Sequence, residues 1–312
     1  MTLDLRSCTN ADCMNCKKPQ REEFTESGIC KLTTSVLDNL PVRCVGSWAT
    51  EKIYRLTQYF GIFAKGMSKA WVGLNYIEIC SGPGRCTIRE TGEEIDGTPL
   101  AILNSQYFQF INKAVFIDNS VSAIDTLNMR ITKLGKSHSR AVYGDYRDIM
   151  SLERALSGMN TTLLTLAFID PTDCSVPFET IKYLKRKFSR IDVIFNFAYG
   201  TDMIRNIRRA IENPQYPVRK KYDLFFGNKE FLSHPDTIKI KDSSPENKNL
   251  ANAFLKEYKK NLDNIGLKFS AEKYVKNYYW LLFASGHKTG LKFWNESQKI
   301  GPDDQREFHF ED

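Results

Sequence analysis

Between residues 75 and 197 short apolar runs alternate with amphipathic stretches, and this alternation restricts the fold more than any other feature of the chain. The runs fall at 75–80, 114–118, 141–145, 163–170 and 191–197, all of strand length and most rich in aromatic or β-branched types. Residues 163–170 form the most hydrophobic run, continuous in the way expected of a strand at the buried centre of a parallel sheet. Helical patterns separate the runs at 124–134, 149–156 and 178–188, and residues 100–110 read as a further helix. Such an order implies an open, mainly parallel α/β sheet of Rossmann-like type.

The first four runs each carry an acid at or near their end: Glu78, Asp118, Asp145 and Asp170. After Glu78 the chain breaks into Ser81-Gly82-Pro83-Gly84, where two glycines allow a tight turn and close approach of a ligand. An acid, then a glycine turn, then an acid at the tip of the second strand is how doubly wound folds seat a nucleotide-like ligand, the second acid taking the ribose hydroxyls. The full G-x-G-x-x-G spacing is missing. Gly82 and Asp118 are 118 − 82 = 36 positions apart, against about 20 in the usual motif. An insertion over 85–98, ending in the turn signal Asp96-Gly97-Thr98-Pro99, accounts for the excess and is expected over the mouth of the site.

Upstream, residues 47–71 read as one amphipathic helix with Ile53, Leu56, Tyr59, Phe60, Phe63 and Met67 on its apolar stripe. Lys52, Arg55, Lys65 and Lys69 are expected on its solvated side. The first 47 residues form a distinct Cys-rich extension, holding five of the eight cysteines. Cys8, Cys13 and Cys16 make a C-x4-C-x2-C cluster that Cys30 can complete to four thiolates, a set suited to zinc or to an iron–sulfur cluster. Free thiols on an arm are the plainer alternative.

Residues 48–312 read as the main domain, with an insert at about 200–250. That insert is basic and aromatic. Arg205, Arg208, Arg209, Arg219, Lys220 and Lys221 interleave with Tyr216, Tyr222, Phe225 and Phe226, a composition that can grip phosphates and stack bases. A solvated helix over core aromatics is the alternative. After a helix at 251–262, residues 266–270 and 278–285 are expected to be two antiparallel strands. Of 312 residues 42% are hydrophobic and 26% charged, with a net charge of +7, which suits a globular chain and is compatible with a polyanionic partner. No run of about 18 apolar residues is present to span a membrane, and the N-terminus lacks a signal-peptide core, so a reducing, cytoplasmic setting is expected.

Five parallel strands with a terminal antiparallel pair resemble the class I S-adenosylmethionine-dependent methyltransferases. A closer resemblance, over roughly 48–300, is to the three-Cys-motif partner family of prokaryotes and phages. It rests on Cys80-Ser-Gly-Pro-Gly-Arg85, Asp96-Gly-Thr-Pro-Leu-Ala101, Phe168-Ile-Asp-Pro171 and Tyr278-Tyr-Trp-Leu-Leu-Phe-Ala-Ser-x-His-x-x-Gly-Leu-x-x-Trp294, the last being the most specific. The resemblance implies that Glu78, Ser81, Gly82 and Gly84 hold the methionine part of the donor, that Asp118 holds its ribose and that Asp145 reads its adenine. It places Asp170 at the start of the catalytic loop, with Cys174 as a second candidate, while the basic excess and the 205–226 stretch favour nucleic acid as the acceptor. Asp170-Pro171-Thr172-Asp173-Cys174 lacks the second proline and the aromatic of amino-methylating DNA enzymes, which argues against that route. The family's name refers to a cysteine motif in a neighbouring protein, so a protein partner is also implied. A catalytically inactive fold serving as a nucleic-acid or protein-binding subunit is the competing reading.

Overall fold

The computed structural model describes residues 30–275 and 278–301. Ten strands lie in two sheets among these residues. The larger contains β2 (Leu74–Ile79), β5 (Ile111–Asp118), β6 (Ser139–Tyr143), β7 (Leu164–Ile169), β8 (Ile191–Phe197), β9 (Phe269–Val275) and β10 (Tyr279–Ser285). Its order is β6-β5-β2-β7-β8-β10-β9. All neighbours pair in parallel except β10, which runs antiparallel to both β8 and β9. The chain therefore builds outward from β2 through β5 to β6, then returns to β7 on the other side of β2. That reversal opens a crevice at the carboxyl ends of β2 and β7, where open α/β sheets take their ligands.

Side chains alternate across each strand and sort the core into two layers. Ile77, Ile79, Val115, Ile117, Ala167 and Ile169 face a layer with α4 (Ile149–Ala155) and α5 (Phe178–Lys187). Leu74, Tyr76, Ala114, Phe116, Leu166 and Phe168 face the opposite layer, with α1 (Trp48–Met67), α2 (Thr98–Leu103), α3 (Val121–Lys133) and α10 (Lys288–Ser297). On α1 the stripe Leu56, Tyr59, Phe60 and Phe63 is fully buried, as its spacing predicts. Lys65 and Lys69 are exposed as expected, but Lys52 and Arg55 are buried. Arg55 reaches across the helix face to donate to the carbonyls of Gln298 and Ile300, each at 3.2 Å.

The insertion after the glycine turn is a hairpin, β3 (Arg85–Ile88) with β4 (Glu94–Asp96). Residues of the N-terminal extension add β1 (Arg43–Val45) in parallel to β3, completing a small second sheet. The basic, aromatic stretch after β8 is largely helical. It starts with a π-helical turn at Tyr199–Met203 and continues as α6 (Ile204–Glu212), α7 (Pro217–Phe226) and α8 (Pro235–Ser243), before α9 (Asn247–Asn264) leads into β9. Tyr222, Phe225 and Phe226 sit three and four positions apart and pack inward against Phe254 and Tyr258. These three rings are core, not base-stacking platforms.

Much of the long motif at 278–294 also proves to be packing. Asp192 on β8 is buried and accepts from Tyr59 Oη at 2.7 Å. Its burial pushes the carboxyl upward in pKa. A Cβ on Gly290 would stand 2.6 Å from Ser285 Oγ and 3.1 Å from Asp192 Oδ1, so glycine is required there by space. Trp294 stacks on Phe283 with ring centroids 5.3 Å apart, and His287 Nδ1 caps α10 by accepting from Thr289 N. Among the described residues no helix is long and apolar enough to cross a membrane.

Candidate functional site

After β2 the backbone alternates through the left-handed region: Cys80 has φ +66°, Gly82 +64° and Gly84 +92°. For a cysteine this conformation costs about 1 kcal/mol or more, and such strain is concentrated at ligand sites. The turn is held from three directions. Gly82 N donates to Asp118 Oδ2 at 2.8 Å, while Ser120 N donates to the other carboxylate oxygen at 3.0 Å. Gly97 N donates to Gly84 O at 2.8 Å, and a Cβ on Gly97 would lie 2.9 Å from that oxygen. Arg130, 3% exposed, donates to Pro83 O at 2.7 Å and forms a two-pronged ion pair with Asp38, at 2.8 and 2.9 Å. That guanidinium holds the Asp38 carboxyl well below the usual carboxylate range.

Beside the turn lies a cavity of about 220 Å³. It is walled by the turn itself (Cys80, Ser81, Pro83, Gly84), by Arg43 of β1, by Trp48 and Lys52 of α1, and by Cys86 and Arg89 at the hairpin. Asp170, Pro171, Asn196, Thr201 and Tyr279 close it on the side of β7, β8 and β10. The hairpin thus stands where the insertion was expected. At the base, Lys52 Nζ meets Asp170 Oδ2 at 2.5 Å, and Asn196 Nδ2 donates to Asp170 Oδ1 at 2.7 Å and to Pro171 O at 3.1 Å. Both amide hydrogens of Asn196 are thereby committed. Asn196 Oδ1 and Ser81 Oγ have no hydrogen-bond partner, although these residues are only 5% and 6% exposed. Buried polar atoms left without partners cost about 1–3 kcal/mol each, and both residues belong to the cavity wall.

Glu78 lies beneath this cavity rather than in its wall. It is fully buried on the face shared with Tyr76, and accepts from Tyr76 Oη at 2.8 Å and from Thr98 Oγ1. Burial pushes its carboxyl up to about 8, with the Asp170 charge adding to the effect against the two hydrogen bonds and Lys52. The hydrogen bond from Thr98 and the contact of Gly97 explain why Asp-Gly-Thr-Pro follows the hairpin: it is the underside of the glycine turn. Burial likewise drives the Cys80 thiol well up and Cys86 to about 11, so neither is a ready thiolate.

Of the residues singled out by sequence, Ser81, Gly84 and Asp170 line the cavity, with Gly82 in the same turn. Asp118 stands behind the turn with both oxygens engaged by backbone donors. Asp145 lies two residues past β6 and pairs with Arg147 at 2.9 Å. Cys174 does not line the cavity. It is 0% exposed, its thiol is raised well above normal by burial, and its backbone N donates to Asp202 Oδ2 at 2.9 Å. A nucleophile needs both access and a thiolate, and Cys174 has neither.

Cys8, Cys13 and Cys16 lie outside the described residues, whereas Cys30 is buried, and no group of three metal-binding side chains occurs among the described residues. In the basic stretch the chain divides its cations. Arg208 donates to the carbonyls of Lys241 and Ser244, Arg219 to Ala210 O and Ser233 Oγ, and Lys221 bridges Asp202 and Asp173 at 2.5 and 3.1 Å. Arg205, Arg209 and Lys220 are exposed, with Arg209 lying over the Tyr216 ring.

Sequence reasoning missed Lys52, Asn196, Arg43, Trp48 and Tyr279. A lysine four residues after Trp48 on an otherwise amphipathic helix looks solvated until Asp170, 118 positions away, is brought to it. Asn196 carried a signal, since an amide inside an otherwise apolar strand has to find a buried partner.

No protein-family model and no curated protein matches the sequence. Among solved structures the CurJ carbon methyltransferase is similar at 13% identity and a TM-score of 0.41, covering 74% of this chain and 54% of that one. The chain thus spans about half of that structure. Protein LPL1258 from Legionella pneumophila str. Philadelphia 1 is similar at 14% identity and 0.44, with 83% and 94% covered. An O-methyltransferase from Bacillus cereus, solved with SAH, is similar at 12% identity and 0.38, with 80% and 86% covered. The strand order, with β10 reversed beside β8, is that of the class I methyltransferase fold.

Proposed function

We propose that this chain binds S-adenosylmethionine at the turn after β2 and that the adjoining cavity receives a methyl acceptor, which makes the protein a methyltransferase acting on nucleic acid. The observation that carries the reading is the left-handed glycine turn after β2, set beside a cavity at the sheet's switch point. The residues present fit the donor: a left-handed glycine turn, an unpartnered hydroxyl on it, and acids at or just beyond the ends of β5 and β6. The donor supplies a methyl group already activated on sulfonium, so proximity and exclusion of water are what the chain must add. Ser81 and the turn orient the donor side. Asp170, fixed by Lys52 and Asn196, offers acceptor lone pairs to the incoming group.

A nucleic-acid acceptor is supported by the net charge of +7, by the exposed Arg205, Arg209 and Lys220, and by Arg43 and Arg89 in the cavity wall. The motif resemblance supports a prokaryotic or phage partner system with a protein bearing a three-cysteine motif. The spacing of Cys8, Cys13 and Cys16, with Cys30, supports a zinc ion or iron–sulfur cluster, to be tested by metal analysis with an absorption spectrum.

The test is calorimetric titration of wild type and Ser81→Ala with S-adenosylmethionine, followed by transfer of labelled methyl to mixed nucleic acids. Micromolar binding that weakens tenfold in the variant, with label transferred, is the expected result. Binding without transfer selects the non-catalytic subunit. Absence of heat at saturating ligand refutes donor binding altogether.

A further inference from the structure

The loop after β7 closes one side of the cavity with Pro171 and Thr172, and what holds it comes from β8 and the helical insert beyond. Asn196 Nδ2 donates to Pro171 O at 3.1 Å, and Thr201 Oγ1 to Thr172 O at 3.3 Å. Lys221 Nζ donates to Asp173 Oδ2 at 3.1 Å, and Cys174 N to Asp202 Oδ2 at 2.9 Å. Thr201 and Asp202 belong to the π-helical turn that opens the insert, a type of turn found frequently at functional positions. Asp202, 3% exposed, is the anchor. One of its oxygens accepts from Asn206 Nδ2 at 2.8 Å and Tyr222 Oη at 3.0 Å, the other from Cys174 N and, at 2.5 Å, from Lys221 Nζ. Lys221 on α7 then bridges this fixed carboxylate to Asp173, whose side chain is 40% exposed. Burial opposes the charge on Lys221, yet the hydrogen bond to Asp202 and the nearby Asp173 outweigh it and hold the ammonium above the ordinary lysine pKa. Without that ammonium two like charges would face each other a few ångström apart, and Asp173, the more exposed, is the one able to move away.

We infer that Lys221 and Asp202 are positioning residues for the cavity: through Asp173 and Cys174 they hold the wall made by Pro171 and Thr172, so that the insert sets the space offered to the acceptor. Neither side chain lines the cavity, and both act through the loop. That an acceptor occupies this space rests on the methyltransferase reading, whereas the hold on the loop does not. Cys174 gains a use that its burial denies it as a nucleophile. It is 0% exposed and its own N–H is bound to Asp202, so its thiol stays sealed while the loop is down and reports any local opening.

The test is N-ethylmaleimide labelling of the whole native chain, followed cysteine by cysteine by mass spectrometry, with the buried Cys30 as reference. Lys221→Met should label at Cys174 about tenfold faster than wild type or more, with Cys30 changed by no more than about twofold. Combining Lys221→Met with Asp173→Asn removes the facing charge and should return Cys174 to within about threefold of wild type. Recovery through a neutral amide is an outcome that lost packing alone would not give. If Lys221→Met does not fold, Asp173→Lys, at the exposed end of the bridge, sets like charge against Lys221 and should speed Cys174 alone. An unchanged Cys174 rate in the folded variants, equal acceleration at both cysteines, or a double variant as fast as the single one overturns the inference. Calorimetry with S-adenosylmethionine on the same proteins keeps the donor reading separate. Lys221→Met should hold the donor within about threefold of wild type, and a tenfold loss overturns the assignment of this wall to the acceptor. Absence of donor binding in wild type refutes the donor reading, while the labelling still decides the hold on the loop.

Discussion

Replacing Glu78 by glutamine turns a buried acid into a neutral group of the same shape, and its effect on stability should depend on pH in a defined direction. In the folded chain burial holds this carboxyl at about 8, against an ordinary value of 4.5. Between those values the folded state keeps a proton that the unfolded state has released. Stability therefore falls as pH rises through that window and levels off above about 8. Each pH unit inside the window is worth about 1.4 kcal/mol, so wild type should lose about 3 kcal/mol through this group between pH 6 and pH 9. The amide loses nothing by that route. Tyr76 Oη and Thr98 Oγ1, which donate to the carboxylate, can each serve either amide atom.

Urea denaturation of both proteins at pH 6, 7, 8 and 9 measures the difference, and groups common to both, such as Cys86, cancel. The stability of the variant relative to wild type should climb by about 3 kcal/mol from pH 6 to pH 9, with most of the rise complete by pH 8. A difference that stays constant across the series would refute a protonated Glu78 in the folded state.

Two further outcomes follow from the same site. Gly97→Ala should cost at least about 2 kcal/mol, because its methyl lies 2.9 Å from a backbone oxygen that cannot retreat; a cost below half that in thermal unfolding contradicts the close approach. Lys52→Met strands the Asp170 charge and should destabilise by roughly 3 kcal/mol, whereas the double change Lys52→Met with Asp170→Asn should recover at least half of the loss; additive losses in urea melts would show that the two side chains do not pair.

The sheet was legible because hydrophobic period and length carry its strands, and because β2, β5, β7 and β8 are apolar on both faces. The acids were legible in position and less so in task. Glu78, Asp118 and Asp145 each stand near a strand end as expected, yet Glu78 is sealed under the turn and Asp118 is occupied by backbone donors. Which atoms face a ligand depends on contacts such as Lys52 to Asp170 that no local pattern contains. The basic stretch shows the converse. Tyr222, Phe225 and Phe226 already had helical core spacing, and composition alone drew attention away from it. The motif at 278–294 was the most distinctive in sequence, and apart from Tyr279 in the cavity wall its chemistry turned out to be fit: Gly290 under Ser285, and Trp294 on Phe283.

Arg130 joins parts of the molecule with different histories in the chain. It belongs to α3, a crossover of the main sheet, while its partner Asp38 lies 92 positions earlier. A contact so distant carries a loop-closure cost that the local crossovers do not. Among the described residues the main sheet begins at Leu74 and takes no strand from those before it, whereas Arg43 and β1 come from that earlier segment. Integrity of the scaffold and competence of the cavity are thus separable quantities: proteolysis before Ser47 would leave every strand of the seven in place and remove one wall of the pocket.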